Sequence, residues 1–340
     1  MTLTEKTTST GLSTDMDTIK AIVQERYGAP VDVLHLGDVP APIAGDDEVT
    51  VRVLAASAFI GDWHIVTGLP YAIRAVSGLR APKQHIKGQD FAGRVESVGS
   101  NVTGLRVGDE VFGTFEGSFA EKARARLDRI APKPENLTFE KAATVPSTGS
   151  TALQGLRDVG KVAPGQQVLI IGAAGGVGSF AVQIAKAFGA HVTGVCSTTK
   201  VDLVRSIGAD EVIDYTRADF AETGRRYDLI LDTAGNRSVS HLRRALAPRG
   251  TLVIGGGEGG GRWFGVGRQL RAMALSPFVS QTLRTFIAKP NAEALLVLKE
   301  FIEAGKVTPV IGSTKALSEI PDAIQQLGEG HGRGKVVISV

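Results

Sequence analysis

Gly172, Gly175 and Gly178 recur three apart in Gly172-Ala-Ala-Gly-Gly-Val-Gly178. An apolar run over 167–171 precedes them, and a stretch over 177–188 with apolar residues at helical spacing follows. A glycine loop between a strand and a helix lets backbone N–H groups converge at the helix N-terminus with no side chain in the way, which is how a pyrophosphate is held. Gly172 permits the tight turn, Gly175 the close approach of backbone to phosphate, and Gly178 the close fit of helix on strand. Ala174, Gly176 and Val177 complete the loop. A glycine triplet alone is a weak signal; its strand–loop–helix–strand setting is what points to dinucleotide binding.

An NAD site usually carries an acidic residue about 20 residues further on, at the end of the second strand. Here that place reads Val195-Cys196-Ser197-Thr198-Thr199-Lys200, with hydroxyls and an amine and no carboxylate. The pattern favours NADPH over NADH, the bland alternative being that Lys200 is a solvated lysine at a helix start. Cys196 is the single cysteine. It has no recognisable His or Asn partner and reads as a buried strand-end thiol rather than a nucleophile. One cysteine excludes an intramolecular disulfide and a multi-cysteine zinc site and fits a reducing, cytoplasmic setting.

These residues need a parallel sheet to position them. From 167 onward strands (167–171, 191–195, 211–214, 228–232, 251–254) alternate with helical patterns (177–188, 200–207, 238–246), the grammar of a doubly wound α/β unit. Residues 19 to about 130 differ: short alternating runs such as 48–54 are punctuated by Gly88, Gly93, Gly99, Gly104, Gly108 and Gly113, as in a β-barrel or sandwich. A helix over 292–304 and a last strand from Lys335 follow, and that strand can rejoin the first unit. The 340 residues and net charge of +3 suit two domains and no nucleic-acid partner, since no dense basic block occurs. The uncharged run over 168–185 contains four glycines and reads as strand, turn and helix rather than a membrane span. The Thr/Ser-rich residues 1–18 read as a disordered leader without an apolar signal core.

Further motifs extend the pattern: Gly88-Gln-Asp-Phe-Ala-Gly-Arg-Val-Glu-Ser-Val-Gly, Val107-Gly-Asp-Glu-Val-Phe-Gly, Ala142-Ala-Thr-Val-Pro, Gly208-Ala-Asp-Glu-Val-Ile-Asp-Tyr and Gly332-Arg-Gly-Lys-Val-Val. Together with the glycine loop they resemble the quinone oxidoreductase branch of the medium-chain dehydrogenase/reductases over nearly the whole chain after residue 19. The resemblance implies a Rossmann doubly wound parallel sheet inserted into a GroES-like β-rich catalytic domain. Residues 19–145 and 286–340 would form the catalytic part, 146–285 the NADPH-binding part, and the chain would be a homodimer. It implies Ser197, Lys200 and Tyr215 around the adenosine 2′-phosphate. Thr148, Thr151, Thr233, Ala234 and Gly255, Gly256 and Gly257 would lie along the nicotinamide ribose, with Gly334 and Lys335 nearby.

Three positions depart from the zinc-dependent members. Phe59, Gln89 and Ser147 stand where their ligands would, which implies no bound metal, since a catalytic zinc needs three protein ligands. Phe59 also stands where many quinone reductases carry an Asn. Without a Lewis acid, a quinone or α,β-unsaturated carbonyl is an easier hydride acceptor than an isolated ketone, because charge delocalises to oxygen. His64 and Tyr71, in the segment resembling the substrate wall, are candidate proton donors, and Asp62 is a candidate base or structural partner. Trp263 and Phe264 are candidate lid residues. The expected activity is NADPH-dependent reduction of small-molecule quinones or enones. The alternatives are an enoyl-thioester reductase of a biosynthetic pathway and an NADPH-binding protein with little catalysis.

Overall fold

The structure is a computed structural model that describes residues 17–256, 267–329 and 334–340. The glycine-punctuated N-terminal stretch forms β1 (Thr18–Gln24), α1 (Pro30–Val33), β2 (Leu34–Pro40), β3 (Glu48–Ala58), α2 (Ile60–Thr67), α3 (Arg74–Ser77), β4 (Asp90–Val98), β5 (Glu110–Thr114), β6 (Lys122–Arg126), β7 (Ile130–Pro132) and α4 (Phe139–Ala143). The alternating segment forms α5 (Pro146–Leu153), β8 (Gln167–Ile171), α6 (Gly176–Ala187), β9 (His191–Cys196), α7 (Val201–Ser206), β10 (Glu211–Asp214), β11 (Tyr227–Asp232), α8 (Val239–Ala245), β12 (Leu246–Ile254), α9 (Gly267–Leu275) and β13 (Thr282–Thr285). The chain then runs through α10 (Ala292–Glu303), β14 (Ile311–Ala316), α11 (Ile320–Gly328) and β15 (Lys335–Ser339).

Strands β8 to β13 form a parallel sheet in the order β10-β9-β8-β11-β12-β13. The strand order reverses between β8 and β11, which leaves a crevice at their carboxyl ends. The runs Val168–Ile171 and Leu229–Asp232 are buried on both faces, as a parallel sheet covered by helices requires. The second sheet runs β14-β15-β3-β4-β5-β7, with β6 also on β3. β15, the last strand, pairs antiparallel with β3, so the chain end does return to the first unit.

The two sheets share a core. Ala55, Ala92 and Phe112 of the second sheet belong to the same apolar cluster as Val168 and Ile170 of the first, joined by Leu153, Phe180, Leu295 and Leu298 of the intervening helices. The leader expected through 18 gives way one residue early, because Thr18 already pairs with Pro40 in the β1–β2 ribbon. Residues 60–67 and 146–153, to which the sequence reading assigned no element, are helical, and 282–285 are extended. No helix among the described residues is long and apolar enough to cross a membrane.

Candidate functional site

A cleft of about 390 Å³ opens at the carboxyl ends of β8, β9 and β11. Gly172 turns the chain at φ +82°, and a Cβ there would lie 2.7 Å from Thr233 Oγ1. Gly178 sits against backbone: a Cβ would fall 2.0 Å from the Gly172 carbonyl oxygen. At Gly175, an ordinary extended residue, a Cβ would meet only that same oxygen at 3.3 Å and otherwise enter the cleft. Gly175 offers no side-chain cap to α6. The first N–H groups of a helix have no acceptor within it, so the uncapped start of α6, lined by Gly175, Gly176 and Val177, is a ready anion site. Gly172 and Ala174 line the same end. These residues fit a dinucleotide pyrophosphate.

Ser197, Lys200 and Tyr215 line the far end of the cleft with Cys196 and Phe220. β9 ends there without a carboxylate. The nearest acid, Asp214, is turned aside: Thr198 Oγ1 donates to it at 2.6 Å and Thr216 N at 3.0 Å, and the Thr198 bond above all holds its carboxyl below the usual range. Burial, with Asp214 nearby, pushes the Cys196 thiol up to about 11, so it is an un-ionised wall residue.

The loop after β11 brings Thr233 and Ala234 into the cleft, together with Asn236 and Arg237, which the sequence pattern did not single out. Asp232 anchors this loop. Its Oδ1 accepts the N–H groups of Ala234 and Gly235 at 3.1 Å each, and its Oδ2 pairs with Arg268 of α9. The only sequence signal for Asp232 is a buried acid closing an apolar strand. Gly255 and Gly256 donate to the Asp232 carbonyl at 2.9 and 3.1 Å, behind the loop rather than on the cleft surface. Gly257, Trp263 and Phe264 lie outside the described residues.

Under the glycine loop, strand register assembles a buried ion pair. β15 sets Val336 opposite Ala58, and β4 sets Asp90 opposite Ser57. Lys335 therefore extends beneath Gly176, its Cδ 3.2 Å from a Cβ built there, to Asp90 at 3.4 Å and to within 5.1 Å of the Phe59 ring centre. Asp90 also accepts Ser147 N–H at 3.1 Å and the Ser147 hydroxyl at 2.5 Å. Burial pushes the Asp90 carboxyl up and the Lys335 ammonium down, each opposed by the other's charge. Burial thus favours the neutral form of each partner.

Thr148 reaches the same place with its methyl group, 3.4 Å from the Gly176 Cβ position, while its hydroxyl donates to Thr144 O at 2.7 Å. Thr151 donates to Ser147 O at 2.7 Å. Gly334, at φ +63°, lines the cleft. Gly178 lies just behind that surface.

His64 lines the cleft beside Ile60 and Trp63. Its Nδ1 donates to Leu69 O at 2.7 Å, which leaves Nε2 with a lone pair, and burial lowers its pKa despite that bond. It is therefore set up to accept and orient a hydroxyl more readily than to donate a proton. Tyr71 is not brought to the site: it is exposed, its ring centre lies 4.8 Å from the Arg74 guanidinium, and it lines neither the cleft nor a second cavity, of about 350 Å³, that Asp62, Ile65 and Val66 line behind α2. Asp62 is buried on the other face of α2, where its Oδ2 accepts Phe59 N–H at 2.9 Å and caps the helix that an aromatic N-cap residue leaves uncapped.

The donor set does not fit a catalytic zinc. Phe59 has no lone pair to give, Gln89 and Ser147 are poor ligands, and the Lys335 ammonium stands against the one carboxylate there. Among the described residues no group of three or more His, Cys, Asp or Glu side chains could hold a metal.

Residues 45–135 match the family described as "Alcohol dehydrogenase GroES-like domain", and 207–338 match "Zinc-binding dehydrogenase". The chain is 33% identical over 348 residues to the 2-methylene-furan-3-one reductase of Solanum lycopersicum, covering 97% of this chain and 81% of the relative. It is 32% identical over 335 residues to the chloroplastic NADPH-dependent alkenal/one oxidoreductase of Arabidopsis thaliana, covering 94% and 79%. Among solved structures, the quinone oxidoreductase from Coxiella burnetii superposes with a TM-score of 0.84 at 29% identity, covering 95% of this chain and 100% of that one.

Proposed function

This chain belongs to the medium-chain dehydrogenase/reductase family, and on that premise we propose that it is an NADPH-dependent, metal-independent reductase of quinones or α,β-unsaturated carbonyl compounds. The observation that carries the reading is the cleft itself. An uncapped helix start under a glycine cradle suits the pyrophosphate, and an adenosine end with Ser197, Lys200 and Tyr215 and no carboxylate at the end of β9 suits the 2′-phosphate. When bound, the dihydronicotinamide supplies a hydride.

The protein's own part is position and electrostatics. Thr233 and Ala234 orient the cofactor ring, while Thr148 and Thr151, whose hydroxyls are spent on the Thr144 and Ser147 carbonyls, support the wall behind it. Ile60 and Trp63 exclude water from one face. His64, with Nε2 free to accept, holds a hydroxyl at the mouth of the cleft. The buried Lys335–Asp90 pair stands against Ser147 and Phe59, two of the positions that resemble zinc-ligand places, and leaves no ligand set there, so the electrophilic pull on the acceptor is modest. That favours acceptors whose own conjugation spreads the charge. The single buried cysteine suits a reducing, cytoplasmic compartment, and a homodimer would form through the cofactor domains, 146–285, where β13 is an edge strand.

Chelator-treated protein should oxidise NADPH faster than NADH with benzoquinone, phenanthrenequinone or a simple enone and ignore an unactivated ketone. Metal-dependent ketone turnover would overturn the reading. NADPH binding without turnover of any acceptor, enoyl thioesters included, would leave a cofactor-binding protein.

A further inference from the structure

The second cavity, of about 350 Å³, lies behind α2 and shares no lining residue with the cofactor cleft. That volume falls in the range of small-molecule sites, roughly 300–1,000 Å³. Ile65, Val66, Ile73, Val76 and Ile86 give it apolar walls, and among them stands a buried cation, Lys87, 4% exposed. The barrel backbone fixes this lysine in place: its N–H donates to Ile22 O at 3.0 Å, and its carbonyl accepts Phe119 N–H at 2.8 Å. Lys87 Nζ donates to the Gln84 carbonyl and makes no ion pair among the described residues. An ammonium carries three donors, so most of its capacity is unspent. Two carboxylates line the same cavity, and both are engaged elsewhere: Phe59 N–H donates to Asp62 Oδ2 at 2.9 Å, and the Gln84 amide donates to Glu116 Oε2. Gln89 adds to the lining a side-chain amide with no hydrogen bond among the described residues. A buried charge without a counterion is costly, and this one faces a space with room for one.

The chain around the mouth repeats this chemistry. Residues 63–89 contain Arg74, Arg80, Lys83 and Lys87 and no Asp or Glu. Arg80 and Lys83 are exposed, and Lys83 lines the cavity. Val76, in the cavity wall, is 74% exposed, and Leu79, three residues on, is 77% exposed. The rim is thus apolar and cationic together. We infer that this cavity is a binding site for a small amphiphilic carboxylate, its head group on Lys87 and Gln89 and its apolar tail along Ile65, Ile73, Val76 and Ile86. The inference stands apart from the reductase reading, since no cofactor or hydride enters it.

The electrostatics select the sign of the ligand. Burial lowers the Lys87 ammonium to about 8, against the pull of Asp62 and Glu116, so it is mostly charged at neutral pH. A carboxylate laid against it takes up the unspent donors in charge-assisted hydrogen bonds, which apolar walls strengthen by keeping water away. Burial also raises Asp62 to about 7, which lessens the repulsion an arriving anion meets from that side. A neutral amphiphile gains the apolar contacts alone, and a cationic one meets both Lys83 and Lys87.

The test uses the full chain and three probes of one shape, octanoate, octanol and octylamine, titrated by calorimetry at neutral pH. Octanoate should bind tightest of the three and stay bound at saturating NADPH, because the cavity and the cleft share no wall. Lys87→Met removes the charge and keeps most of the side chain's length. It should weaken octanoate about 10- to 100-fold, the worth of a charge-assisted hydrogen bond, and leave octanol unchanged. Val76 is exposed, so Val76→Glu should fold as wild type does. Its carboxylate at the rim should weaken octanoate several-fold and spare octanol, and this variant decides the matter if Lys87→Met does not fold. Octylamine binding as tightly as octanoate, octanoate displaced by NADPH, equal octanoate affinity in wild type and the folded variants, or no octanoate bound at millimolar concentration overturns the inference. None of these results bears on NADPH oxidation with a quinone or an enone, which tests the reductase reading by itself.

Discussion

Replacing Gly178 and Gly175 separately by alanine should separate folding from binding within one loop. At Gly178 the added Cβ would lie 2.0 Å from the Gly172 carbonyl oxygen, a full ångström inside the 3.0 Å that real Cβ atoms respect. Both colliding groups are backbone, so α6 must shift away from the end of β8. Overpacking of this kind costs roughly 1–3 kcal/mol, and the helix propensity gained by alanine returns less than about 1. For a chain of this size the net loss lowers Tm by about 2–6 °C. The shift also moves the N–H groups of the helix start, and NADPH should bind at least about 10-fold more weakly, the worth of one charge-assisted hydrogen bond. At Gly175 the backbone is extended, φ −79°, and the nearest atom to a Cβ is 3.3 Å away. Gly175→Ala should therefore keep the wild-type Tm while its methyl group occupies the space meant for phosphate, with a similar loss in NADPH affinity. Thermal unfolding and NADPH fluorescence titration of the two variants decide the matter. A Gly178→Ala protein as stable and as tight-binding as wild type, or a Gly175→Ala protein binding NADPH normally, would refute the cradle.

Three further outcomes follow from the same geometry. Lys335→Met strands the Asp90 carboxylate in the core and should cost about 3–5 kcal/mol in denaturant unfolding, whereas Asp90→Asn with Lys335→Met should recover most of it; additive losses would mean the two do not act as a pair. Lys200→Ala should weaken NADPH by about 10- to 100-fold and barely touch NADH, and equal losses would remove the 2′-phosphate from this end of the cleft. Asp62, raised from 3.8 to about 7 by burial, binds its proton more tightly when folded. The stability this gives is full below pH 3.8 and is lost as pH rises to about 7. Asp62→Asn should thus gain on wild type over that window, by up to roughly 4 kcal/mol, and hold a constant lead above it in urea unfolding at each pH; a variant that loses ground there would contradict the burial argument.

The sequence by itself determined the parallel sheet and the cofactor loop, because both signals are local. Glycines three apart, an apolar strand before them and helical periodicity after them fall within a single strand–helix–strand unit, and each physical cause acts within a few residues. The last strand could be read as free to rejoin the first unit, but its antiparallel pairing with β3 is a contact only the fold supplies. What only the tertiary structure decided are the contacts between distant segments. Lys335 and Asp90 lie 245 residues apart, and their pairing follows from the register of β15 and β4 on β3, which neither residue's neighbours reveal. Asp232 and Arg268 meet across 36 residues to shape the loop that carries Arg237. The resemblance put His64 and Tyr71 in one substrate wall, with Asp62 beside them as a candidate base or structural partner. Packing sends them three ways: His64 into the cofactor cleft, Asp62 into the cavity behind α2, and Tyr71 out beside Arg74. Which face of a short, weakly amphipathic helix meets which cavity is set by what packs against it, and that is information a helix of eight residues does not carry in its own pattern.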